Sequence, residues 1–521
     1  MPNWIPTFLV RLAAYLAKRF DWIARWLNAL QINSAVEVSR NRPHPWSTVH
    51  PYSSWTSLTD VSWSARHLPA VEIADLPAES SVTELFRRPS GGQVNCSKST
   101  CLFPAFAQYL TDSFIRTRMP DTSKGEPKEL VLRNTSNHQI DMCPLYGRTA
   151  TQTLVLRLLS NKRGERGRLK SQFQSGEEYA PFLYLETGSV DPQFDSLDVP
   201  LGIDRCPPAL RRQLFAFGGD RANGTPQVAM LNTLFLREHN RLAGCIERDN
   251  PSWDDERVFE VTRNAIIVLF IKIVIEEYIN HIAPSPIRFL ADPKVAYGAR
   301  WNRPNWITTE FSLLYRWHSL LPDRVRWNGQ LVEVGQTLFG NHLLLQSGLL
   351  RSFIEFSSEN AGRLGALNTA TVLLDFETRG VRQGRTSQVS TYADYRDYVG
   401  LKRPASFEDV TSDEKLRKML KELYGSPCRI EFYPGLFVED TLRNSPLPPL
   451  IMKFVAVDAF SQALTNPLLS EHVFRPETFS EPGWQAINTT SSLSDLLRRN
   501  VSGGLQGERL TMTRTDWKYQ W

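Results

Sequence analysis

Residues 265–275 are apolar at every position except Lys272, and this run is too short to cross a bilayer, which takes about 20 residues. A helix that is apolar on all sides must be buried in protein, which requires a large body around it. The rest of the chain supplies that body: apolar residues recur at helical spacing over about 103–118, 226–248, 254–282, 306–318, 347–366 and 410–423. Strand-like runs are few and short. Long Pro- and Gly-bearing connections fall around 119–130, 160–180 and 283–305, and residues 40–100 are rich in Pro and Ser. There are no internal repeats and no low-complexity tract. These patterns predict a mainly α-helical body over residues 41–521, preceded by a short segment of different character.

That segment is amphipathic. Trp4, Ile5, Phe8, Leu9, Leu12, Leu16, Phe20, Ile23, Trp26, Leu27 and Leu30 recur mostly every three or four residues, with Arg11, Lys18, Arg19 and Arg25 on the opposite face. Aromatic residues on one side and bases on the other suit a helix lying in a bilayer interface, so residues 1–40 are expected to bind one membrane leaflet. Packing of the same helix on the protein body would give an identical pattern. Arg11 interrupts the apolar run and no small-residue cleavage site follows, so the segment reads poorly as a secretory signal.

Composition removes several function classes. With 60 basic and 55 acidic residues the net charge is only +5, too weak and too mixed to indicate nucleic acid. Six cysteines without a Cys-x-x-Cys pair make zinc and iron–sulfur sites poor readings. Cys96 and Cys101 are near enough in sequence to pair, and their disulfide state stays open, as does the redox compartment.

The segment Glu310-Phe-Ser-Leu-Leu-Tyr-Arg-Trp-His-Ser-Leu-Leu-Pro-Asp323 carries the most chemistry. Tyr315 and His318 are three apart, which on a helix places them on neighbouring parts of one face. A histidine there can ligate iron, and a tyrosine beside it can give up an electron. Among the nine histidines only His318 has such neighbours; His239, in a polar helical stretch, reads as core hydrogen bonding. No His-Glu-x-x-His and no two-histidine, one-carboxylate spacing is present, but haem needs a single axial histidine.

This segment resembles the Tyr-x-Trp-His-x-Leu-Leu-Pro-Asp sequence of the cyclooxygenases, members of the animal-type haem peroxidase superfamily. Further segments resemble that family in order: Tyr52-Ser-Ser-Trp55 through Arg66-His-Leu-Pro69, Phe106-Ala-Gln108, Leu236-Arg-Glu-His-Asn-Arg241, Ile271-Lys-Ile-Val-Ile-Glu-Glu-Tyr278, Glu431-Phe-Tyr-Pro-Gly435 and Phe460-Ser461. The resemblance runs from about residue 35 onward. It implies haem b as cofactor, with His318 as proximal iron ligand and Gln108 on the distal helix. Tyr315 would be the tyrosyl radical that takes hydrogen from an unsaturated fatty acid before O2 adds. Tyr433 would stand on the proximal side near His318. Trp317, Phe311, Tyr278, Ser461 and Leu464 would line the acyl channel. Arg40 would grip the carboxylate at the channel mouth, directly after the amphipathic segment, so that substrate passes from lipid into the channel. The family is dimeric, which implies a homodimer here.

The chain also departs from the family. The cysteine-rich growth-factor-like module is absent, and neither a secretory signal nor an endoplasmic-reticulum retention tail is evident. The distal histidine, expected four residues after Gln108, is Asp112. A carboxylate held ionised can move a proton between peroxide oxygens; otherwise peroxide turnover is poor. The mouth tyrosine falls near Ser285. Asp458 stands where the family has a small apolar residue, and Leu464 replaces the glycine that leaves room for the end of a long acyl chain. A tighter channel favours dioxygenation of a shorter acid to a hydroperoxide over formation of a cyclic endoperoxide. The expected function is a haem-dependent fatty-acid dioxygenase. A haem peroxidase acting on hydrogen peroxide and small reductants, and a non-catalytic haem or lipid binder, are the alternatives.

Overall fold

The computed structural model describes residues 6–37, 62–117, 120–303, 306–508 and 510–521. Arg40 and the segment Tyr52-Ser-Ser-Trp55 lie outside the described residues.

Helices dominate, as the periodicity predicts. The N-terminal segment forms two of them, α1 (Thr7–Arg19) and α2 (Asp21–Glu37), separated by an extended Phe20 (φ −129°, ψ 113°). Next come α3 (Leu102–Phe114), α4 (Pro226–Asp249) and α5 (Asp255–Ile273). The site region adds α6 (Thr309–Leu314), α7 (Leu374–Thr386), α8 (Tyr392–Tyr398), α9 (Phe432–Val438) and α10 (Pro449–Leu464). The chain closes with α11 (Pro476–Thr489), kinked at Ser480, and α12 (Leu493–Asn500).

The ends follow local chemistry. Pro226 opens α4 at the position where a missing N–H costs nothing. The Asp254 carboxylate accepts from the Arg257 N–H and caps α5, whose first turn is acidic. Ser492 and Asp495 form a reciprocal capping box on α12.

Helix α4 is the hub. It is buried along nearly its whole length and packs against α3, α5, α11 and α12. The apolar run 265–275 is fully enclosed, in agreement with its sequence. Beyond Ile273 the ladder loosens into a π turn, Val274–Ile279, which carries Tyr278. Among the described residues, three two-stranded antiparallel ribbons sit around this core: β1 (Asn95–Thr100) with β6 (Asn360–Gly362), β2 (Gln172–Gln174) with β3 (Glu177–Tyr179), and β4 (Arg324–Trp327) with β5 (Gln330–Glu333). The last is closed by Asn328 (φ 49°) and Gly329 (φ 80°), the two left-handed residues that a tight hairpin requires.

The short α6 is held by α7, α9 and α10, and α2 lies along α10. Polar bonds fix α2 to the connection after α5: the Asn28 amide donates to Leu290 O and accepts from Leu290 N–H, Ser285 Oγ donates to Gln31, and Trp301 Nε1 donates to Asn33. Its Trp22 (70% exposed) and Trp26 (60%) point outward, as do Phe8 (65%) and Tyr15 (67%) on α1. Among the described residues no helix is long and apolar enough to cross a membrane.

Candidate active site

The Tyr315–His318 stretch differs from its expected form. Helix α6 ends at Leu314, Tyr315 (φ −90°, ψ 33°) and Trp317 (φ −92°, ψ 45°) leave helical geometry, and a 3-10 turn spans His318–Leu320. The two side chains therefore do not share one helical face. Each is held instead by a different distant element, and those long-range contacts outweigh the local periodicity.

Tyr315 belongs to an aromatic cluster. The Tyr278 hydroxyl donates to the Tyr315 hydroxyl at 3.2 Å. The Tyr315 ring stacks on Trp317 (centroids 4.6 Å apart) and meets Phe311 edge-on at 4.8 Å. Phe103 and Phe106 of α3 pack on Tyr278, and Phe103 also touches Trp317. Burial pushes the Tyr315 phenol well above its ordinary pKa; the Tyr278 bond opposes that shift and the Asp458 charge adds to it. Tyr315 is thus a neutral phenol at physiological pH, so losing an electron as a stable neutral radical means losing the proton too.

His318 is tied elsewhere. Its Nδ1 lies 3.1 Å from Glu377 Oε1, on α7. The same oxygen accepts from Thr369 Oγ1 at 2.8 Å, and Glu377 Oε2 accepts a short hydrogen bond from the Tyr433 hydroxyl. Burial and the Glu377 charge both push the Tyr433 phenol upward, so it stays protonated and donates. With its Nδ1 proton engaged by a carboxylate, the imidazole presents the Nε2 lone pair, the arrangement that orients a metal-ligating histidine. Nε2 has no partner among the described residues. Tyr433 was expected close to His318, and it reaches the imidazole through Glu377. Glu377 itself gave no sequence signal, because it stands 59 residues away with no motif around it.

The close approach of α7 to Tyr433 depends on Gly380. A Cβ there would lie 2.7 Å from the Tyr433 hydroxyl oxygen and closer still to its ring. Gly380→Ala is expected to cost about 1–3 kcal/mol of stability and to displace Tyr433 from Glu377, read as a lower melting temperature together with a shifted ferric absorption spectrum. An unchanged spectrum would count against the Tyr433–Glu377 linkage.

On α3, Gln108 is partly buried, and its side chain makes no hydrogen bond among the described residues. Asp112 is buried: Oδ1 pairs with Arg221 Nε at 3.2 Å, and Oδ2 is sealed without a partner. Burial raises its pKa from 3.8 to about 6, Arg221 and Arg148 opposing and Asp220 assisting. Because the folded-state pKa lies above the unfolded one, the folded form holds the proton more tightly. This contribution to stability therefore falls as pH rises from about 4 to about 6 and is flat above. Asp112→Asn is expected to gain on the parent by up to about 3 kcal/mol over that interval, as read from denaturant midpoints. A difference independent of pH would show that the carboxyl titrates in its ordinary range.

The remaining residues expected to line a channel are all buried. Ser461 on α10 donates to Asp458 O within its own helix, and Leu464 closes that helix beside Tyr297, Asn302 and Leu469. Asp458 is not isolated: Oδ2 accepts from Thr308 Oγ1 and lies 3.2 Å from Nε2 of the buried His67, whose Nδ1 meets the Tyr398 hydroxyl. His67 gives no sequence signal, since only the fold brings it to α10, 391 positions later. Cys96 and Cys101 are free thiols, as are the other four cysteines. His239 bridges Tyr146 and Gly167 O in the core, as expected of it.

Several groups around His318 suit a large, partly anionic, planar ligand. The free Nε2 and the sealed, unbonded Trp317 Nε1 and Arg316 Nε lie in one stretch of chain, and α3, which carries the unbonded Gln108 amide, meets that stretch where Phe103 packs on Trp317. The residues present fit a haem iron on His318.

Fold and site together define a helical protein of the haem-peroxidase class. Residues 102–510 match the animal haem peroxidase family, and the chain belongs to that family. It is 30% identical over 475 residues to prostaglandin G/H synthase 2 of Gallus gallus, covering 88% of this chain and 74% of that protein. It is also 30% identical over 499 residues to prostaglandin G/H synthase 1 of Rattus norvegicus, covering 90% and 77%. Among solved structures, peroxidase A of Dictyostelium discoideum superposes with a TM-score of 0.71 at 19% identity over 87% of this chain and 95% of that one. The fatty acid alpha-dioxygenase of Oryza sativa superposes with a TM-score of 0.65 at 17% identity over 84% and 80%. These two likenesses are of fold.

Proposed function

We propose that this protein is a haem-dependent fatty-acid dioxygenase that works through a radical on Tyr315. The observation that carries the reading is the part-buried Tyr278–Tyr315 hydroxyl pair, three residues before a histidine whose Nδ1 is anchored and whose Nε2 has no partner among the described residues. The naming of the prostaglandin synthases and of the alpha-dioxygenase supports the substrate class.

Bound at His318, haem supplies the one-electron oxidising power that no side chain here possesses. Tyr315 loses one electron and its phenolic proton. The phenoxyl radical takes a hydrogen atom from an activated C–H of an unsaturated acyl chain, restoring the phenol. The carbon radical adds O2, and the resulting peroxyl radical takes a hydrogen atom back from Tyr315. The products are a lipid hydroperoxide and a regenerated radical. Tyr278 and Trp317 hold the Tyr315 ring, Phe311 and Ser461 bound the acyl chain, and Leu464 limits its length, favouring a hydroperoxide over a cyclic endoperoxide. His318 holds iron, Glu377 and Tyr433 orient His318, and Gln108 and Asp112 face peroxide. Arg40 takes the carboxylate.

The outward Phe8, Tyr15, Trp22 and Trp26 support attachment of α1 and α2 to one leaflet, from which acyl substrate would enter. A homodimer is part of the same proposal. The test is oxygen uptake by the haem-loaded protein with oleate, linoleate and arachidonate, with mass spectrometry of the products. Turnover of guaiacol by hydrogen peroxide without any fatty-acid-dependent oxygen uptake would replace this reading with a simple peroxidase.

A further inference from the structure

One half-buried cation beside His318 has no part in the chemistry above. Arg316 lies between Tyr315 and Trp317, where the chain has left α6 and not yet entered the 3-10 turn. Its Nε is sealed from solvent and bonded to none of the described residues. Its Nη2 donates to the side-chain oxygen of Gln383 on α7, a neutral amide that is itself held by donating to Ser312 Oγ. Among the described residues no carboxylate stands within ion-pair distance of it. Arg157, Arg148 and Arg396 pair with Asp255, Asp198 and Glu439, whereas the buried Arg66 donates to the Ser387 and Gln388 carbonyls.

The acid within electrostatic reach of Arg316 is Glu377, and both its oxygens are taken. Arg221 and Arg379 also act on Arg316 electrostatically, each being paired with a carboxylate of its own, Asp112 and Asp375. A guanidinium desolvated without a counter-ion is costly, so Arg316 points to an anion that arrives with a ligand. The ligand expected at the neighbouring imidazole carries two carboxylates.

We propose that Arg316 clamps a propionate carboxylate of the haem whose iron His318 ligates, and that Gln383 aims the guanidinium. The proposal rests on the reading of His318 as the iron ligand. The planar guanidinium offers parallel donors that match a carboxylate edge. A haem carboxylate suits the site better than a fatty-acid headgroup does. The groups in reach of Arg316, Glu377 and Tyr433, are those that hold the imidazole, whereas the Tyr315 hydroxyl turns to Tyr278.

The test is a haem titration of the apoprotein followed by the Soret band. The parent, Arg316→Gln and Arg316→Lys are each titrated with haem and with haem dimethyl ester, in which both propionates are esterified. Circular dichroism and melting temperature check the fold. Arg316→Gln is expected to weaken haem binding by about ten- to a hundredfold and to leave dimethyl ester binding unchanged, with Arg316→Lys recovering part of the loss. Equal weakening of both porphyrins would overturn the proposal, because the residue would then be acting on the fold or on His318. Unchanged haem affinity with a raised KM for a free fatty acid, but not for its methyl ester, would overturn it in favour of substrate binding. A parent that binds neither porphyrin would remove the iron-ligand reading itself, an outcome distinct from either of these.

Discussion

Replacing Tyr315 by phenylalanine is expected to reduce fatty-acid-dependent oxygen uptake to the background of free haem while leaving haem bound. The change removes one oxygen atom and leaves the ring, so stacking on Trp317 and the edge contact with Phe311 persist. What goes is the O–H bond that is broken and remade in each cycle. Tyr278 loses its acceptor, a cost of about 1–3 kcal/mol for a buried donor, and the protein should still fold and show its Soret band. Tyr278→Phe is the informative companion: it removes the donor and keeps the radical site, so oxygenation should fall but persist. Oxygen uptake at parental rate in Tyr315→Phe would end the radical assignment.

The second large effect is expected at His318. His318→Ala takes away the one side chain among the described residues that offers a free imidazole nitrogen next to an anchoring carboxylate, and the variant should lose the parental ferric spectrum or fail to retain haem through gel filtration. Glu377→Gln should behave differently. It keeps the iron-binding nitrogen but weakens the anchor on Nδ1 and the acceptor for Tyr433. Loss of such an outer partner typically costs about 10–100-fold in affinity or activity. Haem should remain, with a shifted spectrum and a changed reduction potential. If His318→Ala binds haem with an unaltered spectrum, the iron sits elsewhere and the site must be redrawn.

Much of this architecture is legible in the amino-acid order, and the parts that are not share a physical cause. Helices α3, α4 and α5 follow from apolar periodicity, helped by Pro226 at the start of α4 and the Asp254 cap of α5, which need no knowledge of the rest of the fold. The 310–323 segment marks Tyr315 and His318 because the chemistry-bearing residues are adjacent in sequence. It does not reveal the break between them, because that break is enforced by Tyr278 on one side and Glu377 on the other. Glu377, Arg316 and the His67–Asp458 pair escape sequence reading for the same reason. Each looks like an ordinary charged or polar residue until the fold supplies its partner, or, for Arg316, withholds one. The N-terminal stripe is readable as amphipathic, but only the bonds from Asn28, Gln31 and Asn33 to the body reveal which side of α2 is turned inward.

The π turn at Val274–Ile279 has a consequence for how this helix can change over time. An α-helix advances about 100° per residue, so a single surplus residue re-aims everything downstream while the upstream packing against α4 is untouched. Tyr278 sits within that offset, and its hydroxyl meets Tyr315 because of it. Deleting one residue would restore a regular ladder and swing the phenol away, so indel tolerance along α5 should stop abruptly at this point.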